Sequence, residues 1–244
     1  MKRLSPTPTV CRRGFSLIEM LVVVSIVVML LALATPALTR TLQASRLAAA
    51  GEAMLGSIAE AQQTAFATNT PVDMRFFSFM EDVDQAPMYH SYQLFKITQS
   101  TQGSGGSATV KEAVVPVGNL IRLPEGVIIP TDNQLTGIFS TSGGSGGGST
   151  GLPDTKENSQ VGYAGVTGAT YNAIRFLPDG TCRTVGATVN GLATVSFQPS
   201  LQQNFFTMTF GSGPAVTLAT LPKNFFTIQI DPYTGKARSY KPGF

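Results

Sequence analysis

Three hydrophobic patterns follow one another along the chain. From Met20 to Thr39 there are 20 residues without a charge, dominated by Leu, Val, Ile and Ala. A helix of that length covers about 30 Å, the thickness of a hydrocarbon core. Beyond Arg40 the apolar positions thin to a stripe. Leu47, Met54, Leu55, Ile58, Ala59, Ala65 and Phe66 fall at three- and four-residue steps, with Glu52, Glu60, Gln62 and Gln63 mostly off it. The spacing predicts one helix over 15–68, about 80 Å long at 1.5 Å per residue. Its first half is apolar all round and its second half is amphipathic. Gly51 and Gly56 are expected to weaken it locally. "TNTP" ends it, because Asn69 tolerates left-handed geometry and Pro71 pushes Thr70 into an extended conformation.

From residue 71 onward the pattern changes to short runs rich in β-branched and aromatic residues, the composition of a half-buried sheet. Strands are expected at 72–79, 89–97, 120–129, 171–180, 193–199 and 205–210, with a closing hairpin inside 224–240 that turns at "DPYTG". Two Gly/Ser-rich stretches, 99–109 and 140–160, are expected to be surface loops. Neither carries the G-x-x-x-x-G-K-[ST] pattern of a phosphate loop. No internal repeat of fixed period is present. The fold class expected is α+β: a long N-terminal helix, one half transmembrane and one half amphipathic, packed on an antiparallel β-sheet. The segments expected are 1–14, 15–39, 40–70 and a β-rich globular domain over 71–244.

Charge changes this picture in one respect. The formal net charge is +3. Four of the 17 basic side chains (Lys2, Arg3, Arg12 and Arg13) precede Gly14, and none of the 14 acidic ones does, so the remainder carries 13 against 14 and a net −1. A basic body seeking an anionic partner is therefore not implied. Basic residues ahead of an apolar run instead predict a cytoplasmic N-terminus and a translocated body. The two cysteines, Cys11 and Cys182, then lie on opposite sides of the membrane and cannot pair. That excludes a disulfide framework and leaves Cys182 as a small buried side chain.

Glu19 is the anomaly. It sits just inside the apolar run, where a carboxylate costs free energy that something must offset. A cleaved secretory signal would have a shorter apolar region followed by a small-residue cleavage site, and here Pro36 and Arg40 follow instead. A lipoprotein signal would place its apolar region before Cys11, where "SPTPTV" does not qualify. A plain signal anchor accounts for length and orientation but not for Glu19.

The stretch "RRGFSLIEM" ahead of an apolar helix with a proline at Pro36 resembles the class III signal of type IV pilins and type II secretion pseudopilins. The matching positions are the basic leader, Gly14 before the cut, Phe15 after it, Glu19 four residues further on and Pro36. That resemblance implies removal of residues 1–14 by a membrane prepilin peptidase and N-methylation of the new Phe15 amine. It also implies a pairing of Glu19 with the N-terminal amine of a neighbouring subunit. In a core of low dielectric such a pair is strong, and an unpaired charge is penalised. Gly14 offers no side chain to obstruct the peptidase, and Pro36 is expected to kink or loosen the helix. The implied partners are other pilin or pseudopilin subunits, the prepilin peptidase, an inner-membrane assembly platform and membrane lipid before assembly. The implied location is the bacterial inner membrane, single-pass, with the body periplasmic, and then a filament. "IRFLPDGTCR" and the terminal "FTIQIDPYTGKARSYKP" are similar to sheet motifs of the minor pseudopilin H and FimT-like group. They are also similar to prepilin-like proteins of the Verrucomicrobia cassette type.

The inventory for catalysis is thin, and no enzyme activity and no cofactor are expected. His90 is the only histidine. A triad with Asp82 or Asp84 and a serine has no nucleophile elbow to support it, and one histidine with Cys11 makes no zinc site. Glu81, Asp82 and Asp84 in "EDVD" could hold Ca²⁺ through oxygen ligands, but their spacing matches no EF-hand loop and a solvated turn is the simpler reading. Asp179 and Asp231 precede Gly-containing turns and are expected to cap backbone groups there. Lys236, Arg238 and Lys241, with Tyr240 among them, could contact nucleic acid. A basic C-terminal region is also what the FimT-like resemblance implies for DNA uptake. The competing reading is a solvated edge strand whose charges discourage aggregation.

Overall fold

The computed structural model describes residues 15–79, 88–102, 109–140, 170–189, 192–196, 201–211 and 215–242. A single helix, α1, runs Leu17–Thr68. It continues through Pro36 without interruption and ends where Asn69 turns left-handed at φ 49°. Thr70 N then donates to Ala65 O, one of the last helical carbonyls.

The chain divides into two compact units, Met1–Gln43 and Ala44–Phe244. In the first, every large apolar side chain described from Leu17 to Leu33 is 48–85% exposed. Ser25 and Thr35 turn their hydroxyls back onto Leu21 O and Leu31 O, so neither leaves a polar group unsatisfied on the apolar surface. Within the run, the side chains at positions 34, 36, 37 and 40 lie outside the described ones. Among the described residues no helix is long and apolar enough to cross a membrane.

The second unit holds the sheets, and all their pairings are antiparallel. Six strands lie in the order β3-β2-β1-β5-β6-β7: β1 Val72–Phe79, β2 Met88–Gln102, β3 Thr109–Arg122, β5 Thr170–Phe176, β6 Cys182–Val189 and β7 Leu192–Ser196. Four more lie in the order β10-β9-β8-β4: β4 Val127–Ile128, β8 Phe205–Phe210, β9 Phe225–Ile230 and β10 Ala237–Tyr240. The sequence pattern suggests one sheet, and the described residues form two. They are stitched where Tyr89 and Ile129 exchange both backbone hydrogen bonds, each at 3.1 Å. A short helix, α2 Gly137–Ser140, follows β4.

Several strand limits differ from the sequence pattern for physical reasons. Residues 120–129 do not form one strand. β3 ends at Arg122, and Gly126 takes φ 78° in a turn before β4 joins the other sheet. The expected strand 171–180 stops at Phe176, because "LPDGT" is a turn and Cys182 opens a further strand that alternation alone did not single out. The Gly/Ser stretch 99–109 is only partly a loop. β2 runs on to Gln102 and β3 starts at Thr109, since Thr98, Thr101, Thr109 and Val110 suit paired strands. Most of 140–160 lies outside the described residues.

One core joins the helix to both sheets. Leu47, Ala50, Met54, Ile58, Ala61 and Ala65 of α1 pack with Val72, Met74 and Phe76 of β1 and with Phe206, Phe226 and Ile228 of the second sheet. The stripe read from sequence needs correction at two positions. Ala59 faces solvent and Phe66 is 78% exposed, while Ala50 and Ala61 take the buried places. Gly51 is no weak point. A Cβ there would lie 2.5 Å from the Phe226 ring, so the missing side chain is what lets β9 approach α1.

Candidate functional site

At the start of α1, Phe15 precedes the helix and is 74% exposed. Ser16 is the N-cap. Its Oγ accepts from Glu19 N at 3.2 Å, and Glu19 Oε2 accepts from Ser16 N at 3.4 Å. This S-x-x-E reciprocity is a capping box, and it satisfies two of the backbone donors that a helix start leaves open. The carboxylate also faces the positive end of the helix dipole. Glu19 is therefore supported within its own chain. The signal was present in the spacing of Ser16 and Glu19 and was not read from it. The bond expected to be cut, Gly14–Phe15, precedes the first helical residue by two positions; Gly14 itself lies outside the described residues.

The C-terminal cations do not converge. Along β10, Arg238 and Tyr240 alternate onto one face, where Tyr240 Oη donates to Gln229 Oε1 at 3.1 Å. Ala237 packs the other way, against the core. Lys241 follows that inward side: its Nζ donates to Glu52 Oε1 of α1 at 3.1 Å and sits 4.8 Å from the Phe226 ring centroid. Lys236 is exposed, and Arg238 is exposed close enough to help hold Asp231 ionised.

Asp179 and Asp231 cap their turns. Asp179 Oδ1 accepts from Thr181 N at 2.9 Å and Thr181 Oγ1 at 2.7 Å. Asp231 accepts from Tyr233 N at 3.0 Å and Thr234 Oγ1 at 2.8 Å. The backbone bond from Thr181 is the main cause that holds the Asp179 carboxyl below its ordinary value, and the bond from Tyr233 does the same for Asp231. The two turns touch, since Cys182 N donates to Pro232 O at 2.8 Å. Gln62 of α1 reaches Thr234 O at 3.2 Å.

On the face of β1 turned away from α1 lies a charged network. Arg175 Nε and Nη2 donate to the two Asp73 oxygens at 2.6 and 3.0 Å, and Nη1 and Nη2 donate to Glu112 at 2.7 and 2.9 Å. Burial works against the Arg175 charge, but hydrogen bonds to Glu112 and Asp73 outweigh it and raise Arg175 above its usual range. Arg75 lies between the Phe95 and Tyr171 rings, 4.6 Å from each centroid.

His90 is half-buried on β2, and its carbonyl accepts from Leu123 N at 2.8 Å. Glu81, Asp82 and Asp84 lie outside the described residues. Among the described residues no group of three metal-ligating side chains comes together. Cys182 is buried, and burial pushes its thiol up, away from the reactive thiolate.

Residues 10–35 match the prokaryotic N-terminal methylation motif. The match spans Gly14, Phe15, Ser16 and Glu19 and ends before the amphipathic half of α1. No curated protein and no solved structure matches the chain.

Proposed function

We propose that this chain is a prepilin-like structural subunit, a minor pilin or pseudopilin. It is cut between Gly14 and Phe15 and methylated on the Phe15 amine. It is held in the inner membrane by the run from Met20 to Thr39, with the body outside the cytoplasm, and then drawn into a pilus or a type II secretion-like filament. The observation that carries this reading is the methylation-motif match, with Glu19 at the third position of a helix whose start lies just beyond the expected cut. The exposed apolar surface of Leu17–Leu33 supports it, because such a surface requires lipid or other helices around it. The finer likeness to the minor pseudopilin H and FimT-like group, and to the Verrucomicrobia cassette type, rests on the turn "LPDGT" and the terminal hairpin. Mass analysis of the N-terminus after co-expression with a prepilin peptidase tests the proposal. The expected start is N-methyl-Phe15, and retention of Met1–Gly14 overturns it.

A second reading is a DNA-binding subunit acting in uptake. It is supported by the neighbouring exposed Arg238 and Tyr240, with Lys236 just before them. It is weakened by Lys241, which is engaged with Glu52. A gel shift with the Lys236→Gln/Arg238→Gln variant decides it: undiminished binding excludes a role for this patch.

A further inference from the structure

The β2–β3 hairpin outruns the sheet it belongs to. β1 pairs with β2 only as far as Val72↔Lys96, and the last sideways bond is Ile97 N to Pro71 O at 2.9 Å. Beyond it, among the described residues, Thr98–Gln102 pair with Thr109–Ala113 alone. A two-stranded ribbon of this kind is marginally stable by itself.

The arm bends over the face of the sheet turned away from α1. Asp73 pairs with both Phe95 and Arg175, so these three stand at one level of the sheet. Glu112 pairs with Gln99, four residues further along β2. In a flat sheet, Glu112 and Arg175 would be three strand spacings apart sideways and four residues apart lengthwise, roughly 20 Å between Cα atoms. Their side chains nevertheless make two hydrogen bonds, at 2.7 and 2.9 Å. The bend starts at a bulge where Gly118, Asn119 and Leu120 of β3 stand against Gln93 alone. Gly118 takes φ 74° there, and Gln93 Nε2 holds its carbonyl at 3.1 Å. The root of the arm, Ile97 and Val114, packs in the apolar cluster of Phe77, Phe95 and Tyr171 on that face. Further out, Glu112 reaches back to the sheet.

We infer that the β2–β3 arm is a strap latched by Glu112 over the face of the six-stranded sheet turned away from α1, and that it opens as a unit when that latch is lost. Opening leaves Arg175 on Asp73, so the body keeps its buried ion pair. The freed ribbon then frays.

The test is amide exchange read by mass spectrometry on the full chain in detergent, comparing the native protein with Glu112→Gln and Glu112→Ala. Glu112→Gln keeps the shape and removes the charge, so it guards against misfolding in the smaller variant. The expected result is exchange about tenfold or more faster in peptides covering 98–102 and 109–113, the scale of losing hydrogen bonds to a charged group. Peptides from β1, β5 and residues 44–68 keep their native rates. Two results overturn the inference: unchanged arm exchange in both variants, or arm exchange that rises only together with β1 and α1.

Discussion

Ser16 and Glu19 hold each other at the start of α1, each side chain accepting from the other's backbone N–H. The pair shows Glu19 as a cap within its own chain, a role separable from the proposed one as a charge offered to a neighbouring subunit. Glutamine serves a capping box as glutamate does, so Glu19→Gln keeps the first role and loses the second. If the neighbour's amine requires the charge, Glu19→Gln and Glu19→Ala fail alike in filament incorporation while both still insert in the membrane. Pelleting of assembled filaments against membrane fractionation checks this. Normal incorporation of Glu19→Gln would assign the residue to capping alone. Ser16→Ala is expected to cost about 0.5–2 kcal/mol at the helix start and to reduce incorporation less than either.

Gly51 and Phe226 give a second test. An alanine is intrinsically the better helix residue by about 1 kcal/mol, so helix propensity alone predicts a more stable body. Contact predicts the opposite, since the new methyl would lie 2.5 Å from a ring that is itself buried. Overpacking of this kind costs about 1–3 kcal/mol. Gly51→Ala should therefore lower the thermal midpoint of the body, and Gly56→Ala, with open space around it, should not.

Arg175 is buried between two carboxylates, so removing it strands Asp73 in the interior. Arg175→Met is expected to destabilise by about 3–5 kcal/mol, the cost of leaving a buried charge without its partner. In denaturant titration, Asp73→Asn added to Arg175→Met should recover part of that loss, because the stranded charge is gone. Additive losses would show that the pair is not coupled.

Much of this was legible in the sequence and the rest was not, for reasons visible in particular residues. The helix end at Asn69 and the strands Phe205–Phe210 and Phe225–Ile230 follow from local chemistry. The alternation of "VDMRFF" correctly separates Val72, Met74 and Phe76 from Asp73 and Arg75. It implies that the charged side meets water, yet both of those residues are buried. The difference comes from the bent β2–β3 arm, whose Glu112 is 63 residues from Arg175. No local pattern encodes that meeting. The split into two sheets depends similarly on a turn at Gly126 rather than on alternation. For the site, residue type and spacing pointed to Gly14, Phe15 and Glu19. The inward turn of Lys241 could not be read, because the Glu52 it reaches is 189 residues away.

The two turn aspartates make the stability of the body depend on pH in a definite direction. Asp179 and Asp231 both have their carboxyls held below the ordinary value, chiefly by the backbone N–H of Thr181 and of Tyr233. A depressed folded-state value means that the unfolded chain binds the proton first as pH falls. The stabilisation is therefore complete above the ordinary aspartate value of 3.8 and is lost as the solution is acidified through the lower folded values. Both groups are largely exposed, so solvent screening keeps each effect small. Unfolding midpoints measured from about pH 6 down to about pH 2 should be flat at first and then fall. Asp231→Asn removes the ionisable group and keeps an acceptor for Tyr233 N. The gap between it and the native protein isolates this residue from every other carboxyl. That gap should close as the pH falls, and a gap that widens on acidification would reverse the sign argued here.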